Sequence, residues 1–87
     1  MTIEQLLNKI NRPYEKQSEK SYIVALEDSD DYARVYTLLD NLEDSYVTVS
    51  IADDKTTCNF IFENYKLVLL GDLSADEYSL TIEVLEE

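Results

Sequence analysis

Eighty-seven residues are enough for one domain with an adequate but not generous core. The chain carries 19 acidic and 7 basic residues, one glycine, one cysteine and no histidine, for a net charge of −12. That inventory excludes imidazole catalysis and histidine metal ligation, glycine-rich phosphate loops and an internal disulfide, and it sets the chain against nucleic acid and anionic membranes as direct partners.

The apolar share of 45% is that of a globular protein, so the chain is expected to fold despite its charge. Solubility alone would be met by a net charge of roughly 2–8, and the excess points to a further use. The charge is also uneven. Residues 1–20 hold four bases and three acids, whereas residues 21–87 hold three bases and sixteen acids. No run approaches the roughly 18–20 apolar residues of a membrane span, and the N-terminus has no signal-peptide pattern. A lone cysteine suits a reducing compartment, so the expected location is the cytoplasm.

The first twelve residues read as a helix. Thr2 and Gln5 form a capping box, Ile3, Leu6, Leu7 and Ile10 share one face, and Pro13 ends the segment. Tyr14 to Lys20 is polar and of mixed charge, which reads as a loop. Ser21 to Glu27 is short, apolar and partly β-branched, a buried strand. A second helix is expected from about Asp30 to Leu42, capped by Asp28 or Ser29. It places Tyr32, Val35, Tyr36, Leu38, Leu39 and Leu42 on one side. From Ser45 the period changes to two. Pairing Ile51 with Thr56 around an Ala52–Lys55 turn also joins Val49 to Cys58 and Val47 to Phe60, all on one face. A turn at Asn64–Tyr65 would pair Phe62 with Leu67 and Phe60 with Leu69. Gly71 is expected to stop that strand, and Tyr78, Leu80, Ile82 and Val84 alternate in a last one.

The expected architecture is therefore a single α+β domain over residues 1–87, in the order α-β-α-β-β-β-β, with a mostly antiparallel sheet and helices packed on it. Ile61, Val68 and Leu70 fall on the outward side of the hairpins. They are either covered by the first helix or form an exposed strip.

Candidate functional residues come from the acids. Asp28, Asp30 and Asp31 sit at a helix N-terminus, where capping and the macrodipole favour them, and Asp30 is one turn from Arg34. Asp40, Glu43 and Asp44 sit at the opposite end of that helix, where carboxylates are disfavoured and no base lies within a turn. Asp53 and Asp54 occupy a hairpin tip and exceed what the turn requires. Glu63 is a solvent-facing charge near Tyr65, itself at a turn, and Tyr46 follows the Asp40–Asp44 cluster. Tyrosines beside carboxylates suit arginine-rich partner surfaces. Asp72, Asp76, Glu77 and Glu83 are individually ordinary surface charges. Calcium loops begun at Asp28 or Asp72 meet Tyr32 or Glu77 where a ligand or glycine is required, so neither is an EF-hand. No spacing singles out a catalytic carboxylate pair, and Cys58 falls on a core-facing position. The reading is of a non-enzyme without metal or cofactor.

In size, acidity, αβ layout and its carboxylate clusters at Asp28–Asp31, Asp40–Asp44 and Asp53–Asp54, the chain resembles small acidic phage-encoded inhibitors, in particular type II anti-CRISPR proteins that imitate DNA. The likeness implies a protein of the host bacterial cytoplasm, monomeric or weakly dimeric. Such a protein would occupy the basic DNA-binding cleft of an RNA-guided nuclease and block recognition of the short duplex motif next to the target. Two other classes fit the same composition: an immunity protein against a bacterial nuclease toxin, and an acidic adaptor domain that inhibits nothing.

Overall fold

The computed structural model describes residues 2–42 and 46–85, the side chains of residues 46 and 47 excepted. Its elements are α1 (Ile3–Ile10), β1 (Tyr14–Ser18), β2 (Ser21–Leu26), α2 (Ser29–Asp40), β3 (Tyr46–Ala52), β4 (Lys55–Phe62), β5 (Tyr65–Asp72) and β6 (Glu77–Val84). The six strands form one antiparallel sheet in the order β1-β2-β6-β5-β4-β3.

The expected α+β class holds, with one strand more than expected. Tyr14–Ser18 is β1 and not a loop. All five of its residues are exposed, and a register irregularity lies between Lys16 and Ser18. An edge strand with little to bury keeps no apolar alternation, so its sequence carries no strand signal.

Both helices lie on the same face. Leu6, Leu7 and Ile10 of α1 and Val35 and Leu39 of α2 share one buried cluster with Val24, Phe60, Leu67, Leu69, Leu80 and Ile82. The capping box forms as expected: the Thr2 amide donates to Gln5 Oε1 (2.9 Å) and the Gln5 amide to Thr2 Oγ1 (3.2 Å). Since α1 is on the α2 side, no described element covers the other face. Ile23, Ile61 and Leu70 stand partly exposed there.

The β3–β4 register is the expected one, with Ile51 opposite Thr56, Val49 opposite Cys58 and Val47 opposite Phe60. The β4–β5 register is shifted by two residues from expectation. Phe62 pairs with Tyr65, Phe60 with Leu67 and Cys58 with Leu69. A slip of two preserves the face of every side chain, so hydrophobic alternation cannot detect it. The turn falls at Glu63–Asn64, where Glu63 takes the left-handed conformation (φ 53°).

Gly71 does not stop β5. It lies within the strand, opposite Thr56 and Tyr78. A Cβ there would come within 3.0 Å of Tyr32 Cε2 and 3.3 Å of Tyr78 Cδ1. The glycine is the floor on which the tilted Tyr32–Tyr78 pair packs, its ring centroids 5.7 Å apart. Replacing Gly71 by alanine is expected to lower unfolding free energy by about 1–3 kcal/mol, the usual effect of overpacking. In urea denaturation the Tyr32→Leu background should reduce that loss; an undiminished loss would locate the clash elsewhere.

Candidate functional site

The register places one end of the sheet under every acid-rich connection but one. Leu26 ends β2 opposite Tyr78, and Lys55 opens β4 opposite Ala52 and Asp72, with Asp72 in turn opposite Glu77. Beyond that rim lie Glu27 and Asp28 leading into α2, the Asp53–Asp54 turn, and the turn from Leu73 to Asp76. The two turns are joined directly: the Leu73 amide donates to the Asp54 carbonyl at 2.8 Å.

Two clusters from the sequence, at Asp28–Asp30 and Asp53–Asp54, are thus brought together. They are joined by Asp72, Asp76 and Glu77, three acids that sequence reasoning passed over. A pairing argument at the open ends of the β4–β5 and β5–β6 ladders could have found them. Tyr78 marks the convergence. Burial pushes its phenol pKa up, and Asp76 and Asp72 from the β5–β6 connection and Asp28 from the β2–α2 connection push it further. Asp72 is committed to its turn: its Oδ1 accepts from the Ser74 hydroxyl (2.7 Å) and from the Ser74 and Ala75 amides (3.1 and 3.2 Å). The Ser74 and Ala75 hydrogen bonds hold its carboxyl below the usual range. Asp53, with φ 55°, and Asp76, with φ 52°, each supply a left-handed turn residue, a conformation that aspartate tolerates better than most.

Asp31 is a correction to the candidate set. It is 4% exposed and cannot face a partner. Its Oδ2 pairs with Arg12 Nε at 2.7 Å and accepts from the Glu27 amide at 3.0 Å, while its Oδ1 accepts from Arg34 Nε at 3.0 Å. Arg34 also donates to the Ile10 carbonyl at the end of α1 (2.6 Å), and Arg12 pairs with Glu27 at 3.2 Å. Arg34 therefore pairs with Asp31, three residues before it, and not with Asp30. Asp28 is the N-cap of α2, accepting from the Asp31 amide at 2.9 Å. Asp30 is exposed beside it.

The remaining candidates lie elsewhere. Asp40 is the exposed last residue of α2, a helix with no base in its final turn. Glu63 is in the β4–β5 turn, at the same far end of the sheet. Tyr65 is in the core and not on a turn surface, 6% exposed at the start of β5, and burial raises its phenol pKa, with Glu63 adding to the effect. Glu43, Asp44 and the side chain of Tyr46 lie outside the described residues. The two ends of the stretch from Glu27 to Asp54 thus meet at one rim, and Asp40 lies the length of α2 away from them.

Cys58 is buried, and its thiol is 3.3 Å from the Tyr32 hydroxyl. Burial and that thiol together push the Tyr32 phenol pKa well up. Among the described residues no cluster of acids and cysteine is arranged to hold a metal ion, and no helix is long and apolar enough to cross a membrane. No family model, curated protein or solved structure matches the chain.

Burial alone would raise the Asp31 pKa, but the Glu27 amide and the Arg34 and Arg12 guanidinium groups outweigh it and hold the carboxyl below its ordinary value. Its stabilising contribution is therefore complete above the unfolded-state pKa of about 3.9 and is lost as pH falls through the lower folded value. Asp31→Asn should cost about 2–3 kcal/mol at pH 7, the range for charge-assisted bonds to a buried ion. In urea melts at a series of pH values, the gap between wild type and variant should shrink below about pH 4. A gap of constant size would assign the loss to packing.

Proposed function

We propose that the chain is an acidic, nucleic-acid-mimicking inhibitor that sets this end of its sheet into the basic DNA-binding cleft of a nuclease. The observation that supports the reading is charge density. The connections at that end carry eight exposed or half-exposed acids: Glu27, Asp28 and Asp30 before and within α2, Asp53 and Asp54, and Asp72, Asp76 and Glu77. Arg12 neutralises Glu27, and Lys55 lies close enough to Asp72 to lower its pKa, which leaves six uncompensated. From β2 to β3 there are four inter-strand gaps, or roughly 19 Å at about 4.8 Å each. One strand of a duplex carries a phosphate every 3.4 Å or so, about six over that length.

A rigid rim of carboxylates at this density offers a cleft lined with lysine and arginine the charges that it neutralises on DNA, without a base sequence to read. The likeness to DNA-mimicking anti-CRISPR proteins makes the effector of choice a Cas9-type nuclease bound to its guide, with the contact where the protein reads the short motif beside the target. Catalysis by this chain is not part of the reading.

Asp53→Asn, Asp54→Asn and Asp76→Asn combined should weaken binding to the effector–guide complex by tenfold or more, on the order expected for loss of steering and pairing charges. Asp40→Lys at the far end should leave binding within a factor of about two. Wild-type affinity should fall steeply between about 50 and 200 mM salt as the charges are screened. Competition of the protein against target duplex, followed by fluorescence anisotropy, measures all three. A salt-insensitive complex, or equal loss from Asp40→Lys, would refute the assignment.

A further inference from the structure

The two edges of the sheet are built differently. β1 is short, bears Glu15 and Lys16, and has a register irregularity after Lys16. Charge and irregular pairing are the usual means by which an edge strand is kept from pairing with another chain. β3 has neither. Its seven residues, Tyr-Val-Thr-Val-Ser-Ile-Ala, contain no charge and no proline, and all seven pair with β4 without a break.

The backbone of β3 is open on its outer side. A two-residue turn makes Ala52 and Lys55 a hydrogen-bonded pair, and antiparallel alternation then assigns Ser50 and Thr48 to β4 as well. The β4–β5 pairing agrees, because it assigns Cys58 and Phe60 to β5 and leaves Thr57 and Asn59 for β3. The amides and carbonyls of Val47, Val49 and Ile51 consequently point away from the sheet.

The described side chains of this edge, from Thr48 to Ala52, are also uncovered. Val49 and Ile51 are on the helix side, in the rows of Cys58 and Thr56, yet they are 46% and 74% exposed. On the neighbouring β4, by contrast, α2 covers the core row, where its Tyr36 meets Phe60 edge-on (5.6 Å). The last strand is an apolar ledge.

We propose that the outer edge of β3 is a strand-addition site for an extended segment of a partner protein, β-branched or apolar in its middle and lysine- or arginine-bearing at its ends. Charge selects this occupant over a second copy of the chain. β3 is neutral, but the exposed Asp53–Asp54 turn closes one end. A two-fold β3–β3 pair would bring together two molecules that each carry a net charge of −12. A basic segment meets opposite charge at that turn and in the net charge of the chain. The inference is carried by the edge itself and holds whether or not the acidic rim binds a nuclease.

The test uses the intact chain and two synthetic probes of equal charge, Lys-Lys-Val-Thr-Val-Thr-Val-Lys-Lys and the same peptide with both threonines and the valine between them replaced by proline. Amide hydrogen exchange followed by NMR should show at least tenfold slower exchange at Val49 and Ile51 with the threonine peptide and no change there with the proline peptide, which cannot pair. Val49→Pro, which removes an outward amide, and Ile51→Lys, which removes the ledge, should each abolish the threonine-specific effect. Equal effects from both peptides, or changes confined to the turns, would overturn the proposal by reducing the contact to charge alone. Protection of Val49 and Ile51 without peptide, accompanied by a dimeric mass in sedimentation, would overturn it in favour of self-pairing. Because no nuclease enters the assay, this inference and the inhibitor reading can fail separately.

Discussion

The architecture depends on one buried carboxylate. Asp31 stands where the C-terminus of α1 meets the N-terminus of α2, ends of opposite dipole sign. Arg34 turns one guanidinium to both: it donates to the last carbonyl of α1 and to Asp31 in the first turn of α2. Arg12, just past the left-handed cap at Asn11, closes the arrangement from the other side and extends it to Glu27. Each ion answers a dipole as well as a counter-ion, so a chain otherwise dominated by repulsion has an attractive centre. Two of the chain's seven bases, Arg12 and Arg34, are used here. They hold the helices and do little to neutralise the surface.

That choice shapes the rest of the molecule. With both helices held side by side on one face, the opposite face of the sheet is left uncovered by the described elements. It is nonetheless not strongly charged, since Lys55 lies opposite Asp72 and Lys66 opposite Glu83, among Thr, Ser, Ile, Val and Leu. Among the described residues, Asp28, Asp30, Asp53, Asp54, Asp76 and Glu77 gather at the rim where α2 begins. The helix end that faces this rim is the one that stabilises anions, which eases the local density of carboxylates.

How much of this was legible follows from what each residue has to bury. Val47, Val49 and Ile51 alternate cleanly and share a short turn with their partners, and the β3–β4 register could be read from them directly. The β4–β5 register could not, since Phe60 faces the core equally well opposite Leu67 or Leu69. Only the left-handed Glu63 decides where the turn falls, and glutamate is no signal for that conformation. Asp30 and Asp31 are one residue apart and equally acidic. Which of them turns inward depends on where α1 leaves Arg12, a tertiary fact. The rim itself was legible only in part. Asp72, Asp76 and Glu77 look ordinary along the chain and become notable once β4, β5 and β6 are paired. Gly71 reads as a strand terminator until two tyrosine rings are placed above it.

The sheet order also governs when the protein can exist. β6 is the last of the six strands to be synthesised, and it lies at the centre, hydrogen-bonded to β2 on one side and β5 on the other. β3, β4 and β5 can zip together as local hairpins while the chain is still emerging. The N-terminal half can form its helices and the β1–β2 hairpin. Neither half can join the other until residues 77–84 have left the ribosome, because β6 is the only strand that bonds to both. Folding is therefore completed by a late, long-range pairing of the kind that slows two-state folding. Until it occurs, the nascent chain exposes the edges of β2 and β5, and its high negative charge keeps those edges from meeting copies of themselves.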